Sequence, residues 1–504
     1  MNKKLLITML ILTASAALAQ DNPYREDVIN PSSVQIKAPV IETPTLTVEE
    51  QETEPEEEIQ EEFQTSESKE IPAIDLNKNE ETLTNTAYNA NVATNKIIEV
   101  DDCVKIALEN HPLIKSAMSN AEIYKTKIGQ AWANYFPTLS AGISYSRNDT
   151  QKTIPTQLPM QRFDMFYVPN ISGNLLLFDF GKTKSQADFA KRVYESTEFA
   201  LQHSINNVIF SVKQAYYNLL FAIQQVQVYE DTVNDFTLHL EQAKAYYEIG
   251  TKPKIDVLTA EYNLGRAKLN LIQAKNTEKI AYVQLSNAMG LPEYSDYKVI
   301  YNMPTKVYDI GVEDAVNIAY DTSPELLAAK KKADASELLI RASKRAYTPN
   351  ISGFAGYTRG GNRVDLDDGY QIGAQLNYSA VNLMLLKKQV DEAKATYKKD
   401  LADFENVKQN IYFDVKEAYI NLANAQESIQ VSKLAMEQAK EQYDQASGRY
   451  KVGLGDAIEL KDAETTYRNS QLDFYNTLLN YHVSAANLER VMGAPIKASD
   501  VDLL

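Results

Sequence analysis

The chain is written twice, and the repeat limits what it can fold into. The stretch VDDCVKIALENHPLIKSA (Val100 to Ala117) returns as VEDAVNIAYDTSPELLAA (Val312 to Ala329). Asp102 aligns with Asp314, Ala107 with Ala319, Pro112 with Pro324, Pro137 with Pro349 and Arg147 with Arg359, each pair 212 residues apart. Farther along the offset is 203: VKQAYYNL (Val212 to Leu219) aligns with VKEAYINL (Val415 to Leu422), Gly250 with Gly453, and AMGLP (Ala288 to Pro292) with VMGAP (Val491 to Pro495). The offset drops by nine between Arg147 and Gln186, so the first copy carries the longer loop there. A duplicated unit of this size means one architecture used twice around a pseudo-symmetry axis. The first copy covers 96–292 and the second 308–495, with a linker at 293–307 and a short tail at 496–504.

Each copy mixes two kinds of pattern. A short helix and a medium helix come first, with Pro112 and Pro324 suited to the first turn of the second helix. After Pro137 and Pro349 the period changes to two. Leu139, Ala141, Ile143 and Tyr145 alternate with Ser140, Gly142, Ser144 and Ser146. Tyr370, Ile372, Ala374, Leu376 and Tyr378 alternate with Gln371, Gly373, Gln375, Asn377 and Ser379. Asn170 to Phe178 and Asn350 to Arg359 alternate less cleanly. Strands of about ten residues with one apolar and one polar face are the mark of an outer-membrane barrel. A soluble sandwich uses the same alternation.

The helices are unusually long. Lys182 to Ile249 and Leu383 to Ser447 contain neither Gly nor Pro. At 1.5 Å per residue each run is about 100 Å long. In the first run apolar residues recur from Leu201 through Val208, Val212, Leu219, Phe236 and Ala243 to Tyr247, in steps of four and three. That 3.5 period is a coiled-coil seam. The second copy keeps it from Phe404 through Val415, Leu422 and Ile429 to Tyr443. Each run ends at a glycine turn, YEIGTKPKID (Tyr247 to Asp256) or YKVGLGDAIE (Tyr450 to Glu459), and a return helix follows. The first return helix has a seam of small and apolar residues at Ala260, Leu264, Ala267, Leu271, Ala274, Ala281 and Leu285. Each copy therefore carries a long helical hairpin, with its strands at the end far from the turn.

The N-terminus reads differently. MNKKLLITMLILTASAALAQ has a basic start, an apolar stretch and Ala17-Leu18-Ala19, a secretory signal peptide cut after Ala19 (1–19). Residues 20–95 are rich in Pro, Thr, Asn and Glu, and read as an acidic disordered segment. The formal net charge of −17 argues against nucleic acid as a partner. A single cysteine, Cys103, allows no intrachain disulfide.

Four strands cannot close a barrel, since the smallest transmembrane barrels need about eight. Open edges cannot face lipid, because their backbone groups would lack partners. If these strands cross a membrane, several chains share the barrel. The signal peptide, the duplicated unit, Phe136-Pro137-Thr138 before a strand pair, LFDFGKTKSQADFA (Leu177 to Ala190) opening a long helix, and the glycine turns resemble TolC-type outer-membrane channels, over about 97–495. The resemblance implies a mostly α protein with a small β part. It implies a homotrimer whose α-barrel of coiled-coil hairpins joins a shared 12-stranded transmembrane β-barrel, four strands per chain. It implies a channel in the cell outer membrane with a periplasmic tunnel, surrounded by outer-membrane lipid. A periplasmic adaptor protein and an inner-membrane pump, proton-driven or ATP-driven, would feed it in efflux or type I secretion.

The resemblance also assigns roles at the turns. Gly250 and Gly453 would form the adaptor-binding tip. The periplasmic gate would fall on Asp256, Tyr450, Glu459 and Asp462, with Tyr450 reaching Asp256 and with Glu459 and Asp462 contributing to a carboxylate ring. Two departures stand out. Gly455 occupies the place of a gate arginine, with Lys252 or Lys254 as substitutes, and Met384 replaces a glycine at the second strand-to-helix corner. The inter-strand segments, about Asn148 to Phe166 and Gly360 to Asp368, would face outside the cell.

Enzyme chemistry has no foothold in the pattern. His111, His203, His239 and His482 are scattered, with no ligand spacing, and no phosphate loop, nucleophile elbow or zinc-protease motif occurs. No catalytic residue, cofactor or metal is expected. A soluble exported coiled-coil scaffold would explain the helices but not four alternating segments placed opposite the turns.

Overall fold

The computed structural model describes residues 97–148, 163–292, 297–301, 303–308, 310–362, 367–378, 383–496 and 498–502. The expected signal peptide and acidic segment lie outside them. The first copy runs β1 (Ile97–Ile98), α1 (Val100–Asn110), α2 (Pro112–Trp132), β2 (Thr138–Asn148), β3 (Phe163–Phe178), α3 (Lys182–Glu248) and α4 (Lys254–Ala288). Next come β4 (Lys298–Val299) and β5 (Lys306–Tyr308). The second copy runs α5 (Val312–Thr322), α6 (Pro324–Arg345), β6 (Asn350–Asn362), β7 (Asp367–Asn377), α7 (Leu383–Lys451) and α8 (Ala457–Met492), and β8 (Ala498–Asp502) follows.

Local chemistry sets the junctions. Pro112 and Pro324 open α2 and α6, where a proline has no hydrogen bond to lose. Asp102 and Asp314 lie in the first turns of α1 and α5, where the helix dipole favours a negative charge. The repeated glycine of AMGLP and VMGAP has a steric cause. A Cβ on Gly290 would lie 2.6 Å from the His111 Cα, and one on Gly493 2.7 Å from the Thr322 carbonyl oxygen. The end of each return helix thus presses on the junction between the two helices that open its own copy.

The long helices have 67 and 69 residues, and the return helices 35 and 36. Each copy has its own apolar core. Cys103, Val212, Leu219, Ala281 and Leu285 belong to the first, and Val415, Leu422, Leu478 and Leu488 to the second. Burying each of these leucines contributes about 1.5–3 kcal/mol. The seam of α7 is buried at Ile411, Val415, Ala418, Leu422, Ala425, Ile429 and Ala439. Helix α3 buries more than its seam: Tyr216, Leu220, Val228, Thr232 and His239 are covered as well. It packs along α2, α4, α6 and α8 together, and a 3.5 period registers only one neighbour.

β2, β3, β6 and β7 form one antiparallel sheet in that order. The register gathers the apolar positions on one face. Leu139 pairs with Gly173, Ala141 with Ile171, Ile171 with Tyr357, Tyr357 with Tyr370, Ala355 with Ile372, and Ile351 with Leu376. The alternation is imperfect in β3 and β6 because Leu176 and Phe354 lie on the opposite face. Nothing among the described residues covers the apolar face: Leu139 is 79% exposed, Ile143 74%, Tyr370 80% and Ile372 89%. Ser140, Ser172, Ser352 and Gln375 lie on the opposite face. β3 begins at Phe163 and β7 at Asp367, and residues 149–162 and 363–366, within the expected inter-strand segments, lie outside the described residues.

A capped corner joins the sheet to α3. Asp179 is buried between them and accepts from Gly181 N–H at 3.0 Å, Thr183 N–H at 2.6 Å and the Tyr135 hydroxyl at 2.8 Å. Burial opposes ionisation of Asp179, but these hydrogen bonds outweigh it and hold the carboxyl below its ordinary value. Arg345, at the end of α6, donates to the Phe180 carbonyl at 3.0 Å. Met384 lies in the first turn of α7, exposed, and residues 379–382 before it lie outside the described set.

The segment read as a linker is built into the fold. β4 pairs parallel with β1, and β5 pairs antiparallel with β8 from the C-terminal tail. Tyr216 donates to the Ile300 carbonyl at 2.9 Å, and Tyr481 donates to the Lys306 carbonyl. Strands of two to five residues are too short to show a period.

Candidate functional site

Both long helices end in the same way. Gly250 donates to the Tyr247 carbonyl at 3.0 Å and Thr251 to that of Tyr246 at 3.0 Å. Gly453 donates to Tyr450 at 3.0 Å and Leu454 to Arg449 at 2.9 Å. These are paired Schellman caps, which need a left-handed residue after the helix. Both glycines have φ of +78°. A Cβ at either would meet nothing within 4 Å, so backbone conformation rather than space selects glycine here. With the sheet at the start of α3, these turns lie about 100 Å away along the helix.

Tyr450 is buried at the second turn, packed with Ala446, Leu460, Ala463 and the half-buried Tyr246 and Tyr443. Its ring meets those of Tyr246 and His239 edge-on, each at 6.2 Å between centroids. The Lys252 ammonium lies 5.7 Å from the ring centre. Burial raises the Tyr450 hydroxyl above its usual pKa, and the charge of Asp256 adds to this. Asp256 is thus near, but no hydrogen bond joins the two side chains among the described residues. A different bond crosses between the hairpins at the tip: the Tyr246 hydroxyl donates to the Lys451 carbonyl at 2.9 Å. Sequence reasoning missed Tyr246, whose only signal is its place one turn before Gly250.

Gly455 cannot accept a side chain in this turn, because a Cβ there would lie 2.8 Å from the Tyr450 backbone nitrogen. An arginine is present nearby instead. Arg449 pairs with Glu459 at 3.2 Å, bracing the second turn from within. Asp256 and Glu459 also sit in the first turns of α4 and α8, where a carboxylate stabilises the helix N-terminus. Asp462 lies three residues after Glu459, on the same side of α8, and is exposed beside Lys461 at 3.8 Å.

A second cluster adjoins this one, two residues beyond Asp462 and so about 3 Å farther along α8. Glu464 is buried against α3 near Asp235, which in turn lies near His239. The signal for it is a break in the apolar stripes: Glu464 falls four residues after Leu460, and His239 between Phe236 and Ala243.

A model for outer membrane efflux proteins matches the chain twice, at residues 103–291 and 315–494. The chain belongs to the outer membrane efflux protein family. The two matched segments are the two copies of the repeat. Among relatives of the family, TolC of Escherichia coli K12 is 24% identical over 270 residues, 52% of this chain and 54% of that protein. That alignment spans about half the length of the relative. A probable efflux pump outer membrane protein of Pseudomonas putida, TtgC, is 19% identical over 407 residues, 77% of this chain and 82% of the relative. A membrane protein from Pseudomonas aeruginosa superposes with a TM-score of 0.70 at 17% identity, covering 79% of this chain and 90% of the other. The Campylobacter jejuni CmeC outer membrane channel does so with a TM-score of 0.70 at 16% identity, covering 80% and 87%. The fold is that of these family channels, helical hairpins joined to barrel strands.

Proposed function

We propose that three copies of this chain form an outer-membrane channel that exports small molecules or proteins from the periplasm to the outside. The observation that carries this reading is the four-stranded sheet with an uncovered apolar face. Its edge strands β2 and β7 have no outer partner among the described residues. Eleven-residue strands, the length of β2 and β7, suffice to cross a bilayer when tilted. Three chains bring twelve strands and close the edges. The helices ask for the same neighbours: Ile255, Leu258, Tyr262, Leu269, Ile272, Ile280 and Val283 form an exposed stripe on α4, and Phe413, Ile420, Val431 and Leu434 one on α7. A soluble scaffold would leave all of these in water.

The channel works as one part of a tripartite system, with a periplasmic adaptor and an inner-membrane pump. Relatives named for antibiotic, toluene and solvent efflux pumps favour efflux over protein secretion. The Gly250 and Gly453 turns face the adaptor. Tyr450, Asp256, Glu459 and Asp462 belong to the gate, together with Tyr246. Detergent-purified protein should have the mass of a trimer and conduct ions in planar bilayers. Recovery as a monomer in the soluble fraction, without detergent, would defeat the reading. An epitope tag inserted in 149–162 should be labelled on intact cells, and labelling only after permeabilisation would reverse the orientation.

A further inference from the structure

Helices α3, α7 and α8 meet just inside the tip around a carboxyl and an imidazole that have no hydrogen-bond partner among the described residues. Glu464, on α8, is 3% exposed, and neither carboxyl oxygen has a hydrogen-bond partner among the described residues. His239, on α3, is 9% exposed, and neither ring nitrogen meets a partner at hydrogen-bonding geometry, although Gln242 lies beside it. Asp235 precedes His239 by one helical turn and faces Tyr443 of α7. The Tyr443 ring stacks on Tyr467 of α8, centroids 5.8 Å apart and planes 13° from parallel. Glu464 is thus shut off from water, while Asp235 is half-buried.

The surrounding charges do not rescue an ionised Glu464. Asp231, Asp235 and His239 face the cluster from α3, and Tyr443, Asp444 and Lys451 from α7. On α8 itself Arg468 opposes the other charges but forms no ion pair with Glu464 among the described residues. Burial, and then the charge of Asp235, push the Glu464 carboxyl up to about 8. A carboxylate without donors in a dry contact is far costlier than a carboxylic acid there.

We propose that Glu464 is a proton-binding site whose bound proton holds the α7–α8 hairpin against α3 just inside the tip. Losing the proton in the closed packing leaves Glu464 and Asp235 as two carboxylates facing each other across the contact between the copies. Separating α8 from α3 admits water and returns Glu464 to its ordinary value near 4.5. The cluster touches the tip directly, because the His239 ring meets Tyr450 edge-on and Tyr450 meets Tyr246 in turn.

The pH dependence has a definite sign. The closed packing binds one more proton than the open one between about 4.5 and about 8. The opening constant therefore rises by up to about tenfold per pH unit across that range and levels off above it. His239 acts in the other direction. Burial lowers its pKa, so opening gains a proton below 6.5 and acid loosens the contact too. Burial holds the Tyr443 hydroxyl protonated throughout. The interval from pH 6.5 to 9 removes His239, and comparison with Glu464→Gln separates Glu464 from Asp235, whose carboxyl burial also raises.

Hydrogen exchange on the purified trimer, corrected for the intrinsic pH dependence of amide exchange, tests this. Protection of residues 457–467 should fall up to about tenfold per unit towards pH 8 and then level. In Glu464→Gln it should stay flat from pH 6.5 to 9. A flat wild-type profile, or the same slope in both proteins, overturns the proposal. Should the variant not assemble, infrared titration of the wild-type protein decides. A protonated carboxyl band that fades as pH passes about 8, and that Asp235→Asn leaves in place, supports the site. No such band at pH 7 overturns it. That the loosening opens the channel rests on the gate reading, and conductance tests that part alone. If protection follows pH and conductance does not, the gate reading fails and the proton site stands.

Discussion

Tyr246 donates its hydroxyl to the carbonyl of Lys451 at 2.9 Å, and so ties the last turn of one long helix to the last residue of the other. The hydrogen bond joins the two hairpins within the half-exposed tip, where such a bond contributes about 0.5–1.5 kcal/mol. Tyr246→Phe should therefore raise the open-to-closed ratio of reconstituted channels roughly two- to twelvefold. Tyr450→Phe with Asp256→Ala should also raise conductance, but by less, because those two side chains form no hydrogen bond to lose. Bilayer recordings of the two variants side by side decide the order. The reverse order would return the lock to Tyr450 and Asp256.

Gly453 tests what the turn is for. Its φ of +78° costs an L-residue about 1–2 kcal/mol, and most for a β-branched one. The space around it is open, so no clash adds to this cost. Gly453→Val should leave trimers intact, since the turn is far from both cores, yet reduce crosslinking to the adaptor and transport. Gly453→Asn, which tolerates the left-handed region, should retain both. Normal adaptor crosslinking in the valine variant would remove the turn from the docking surface.

The carboxylates beyond the turn are not equivalent. Glu459 is paired with Arg449 at 3.2 Å, whereas Asp462 has only Lys461 at 3.8 Å. Both pairs are exposed and weak, but the arginine neutralises Glu459 more closely. In a trimer the two positions supply six carboxylates, and rings of this kind favour cations. Asp462→Asn should lower the cation preference more than Glu459→Gln does. Reversal potentials in a salt gradient measure it, and equal shifts, or none, would deny the distinction.

What the sequence disclosed follows from the kind of signal each element carries. The hairpins were legible because helices of 67 and 69 residues repeat their apolar period many times before a glycine stops them. The strand pairs were legible where alternation was strict, in β2 and β7. In β3 and β6 the pattern was blurred because Leu176 and Phe354 sit on the otherwise polar face, although the register aligns Ile171 with Tyr357 and Gly173 with Ala355 on the apolar one. β4 and β5 carried no signal, having two and three residues. At the tip, Gly250 and Gly453 were visible because a left-handed cap names its residue. The Tyr246 bond and the Glu464 cluster were hidden, because they depend on which helices meet rather than on any one helix's period. Only the polar interruptions at His239 and Glu464 marked the place.

The sheet supplies the sharpest contrast between neighbouring residues. Ile372 pairs with Ala355 on the uncovered apolar face and is 89% exposed, while Gln371 pairs with Gly356 on the other face. If the sheet is part of a barrel in lipid, the first side chain meets hydrocarbon and the second meets the water-filled interior. A lysine or arginine facing lipid near the bilayer midplane costs about 2–4 kcal/mol, and each trimer would carry three. Ile372→Lys should therefore prevent stable trimers from reaching the membrane fraction. Gln371→Lys, one residue away, should assemble normally and shift selectivity towards anions. Heat-resistant trimer on gels and reversal potentials read the two outcomes. A soluble sheet buried against a partner protein predicts otherwise: Ile372→Lys would weaken that partner's binding and leave the oligomeric state of this chain unchanged.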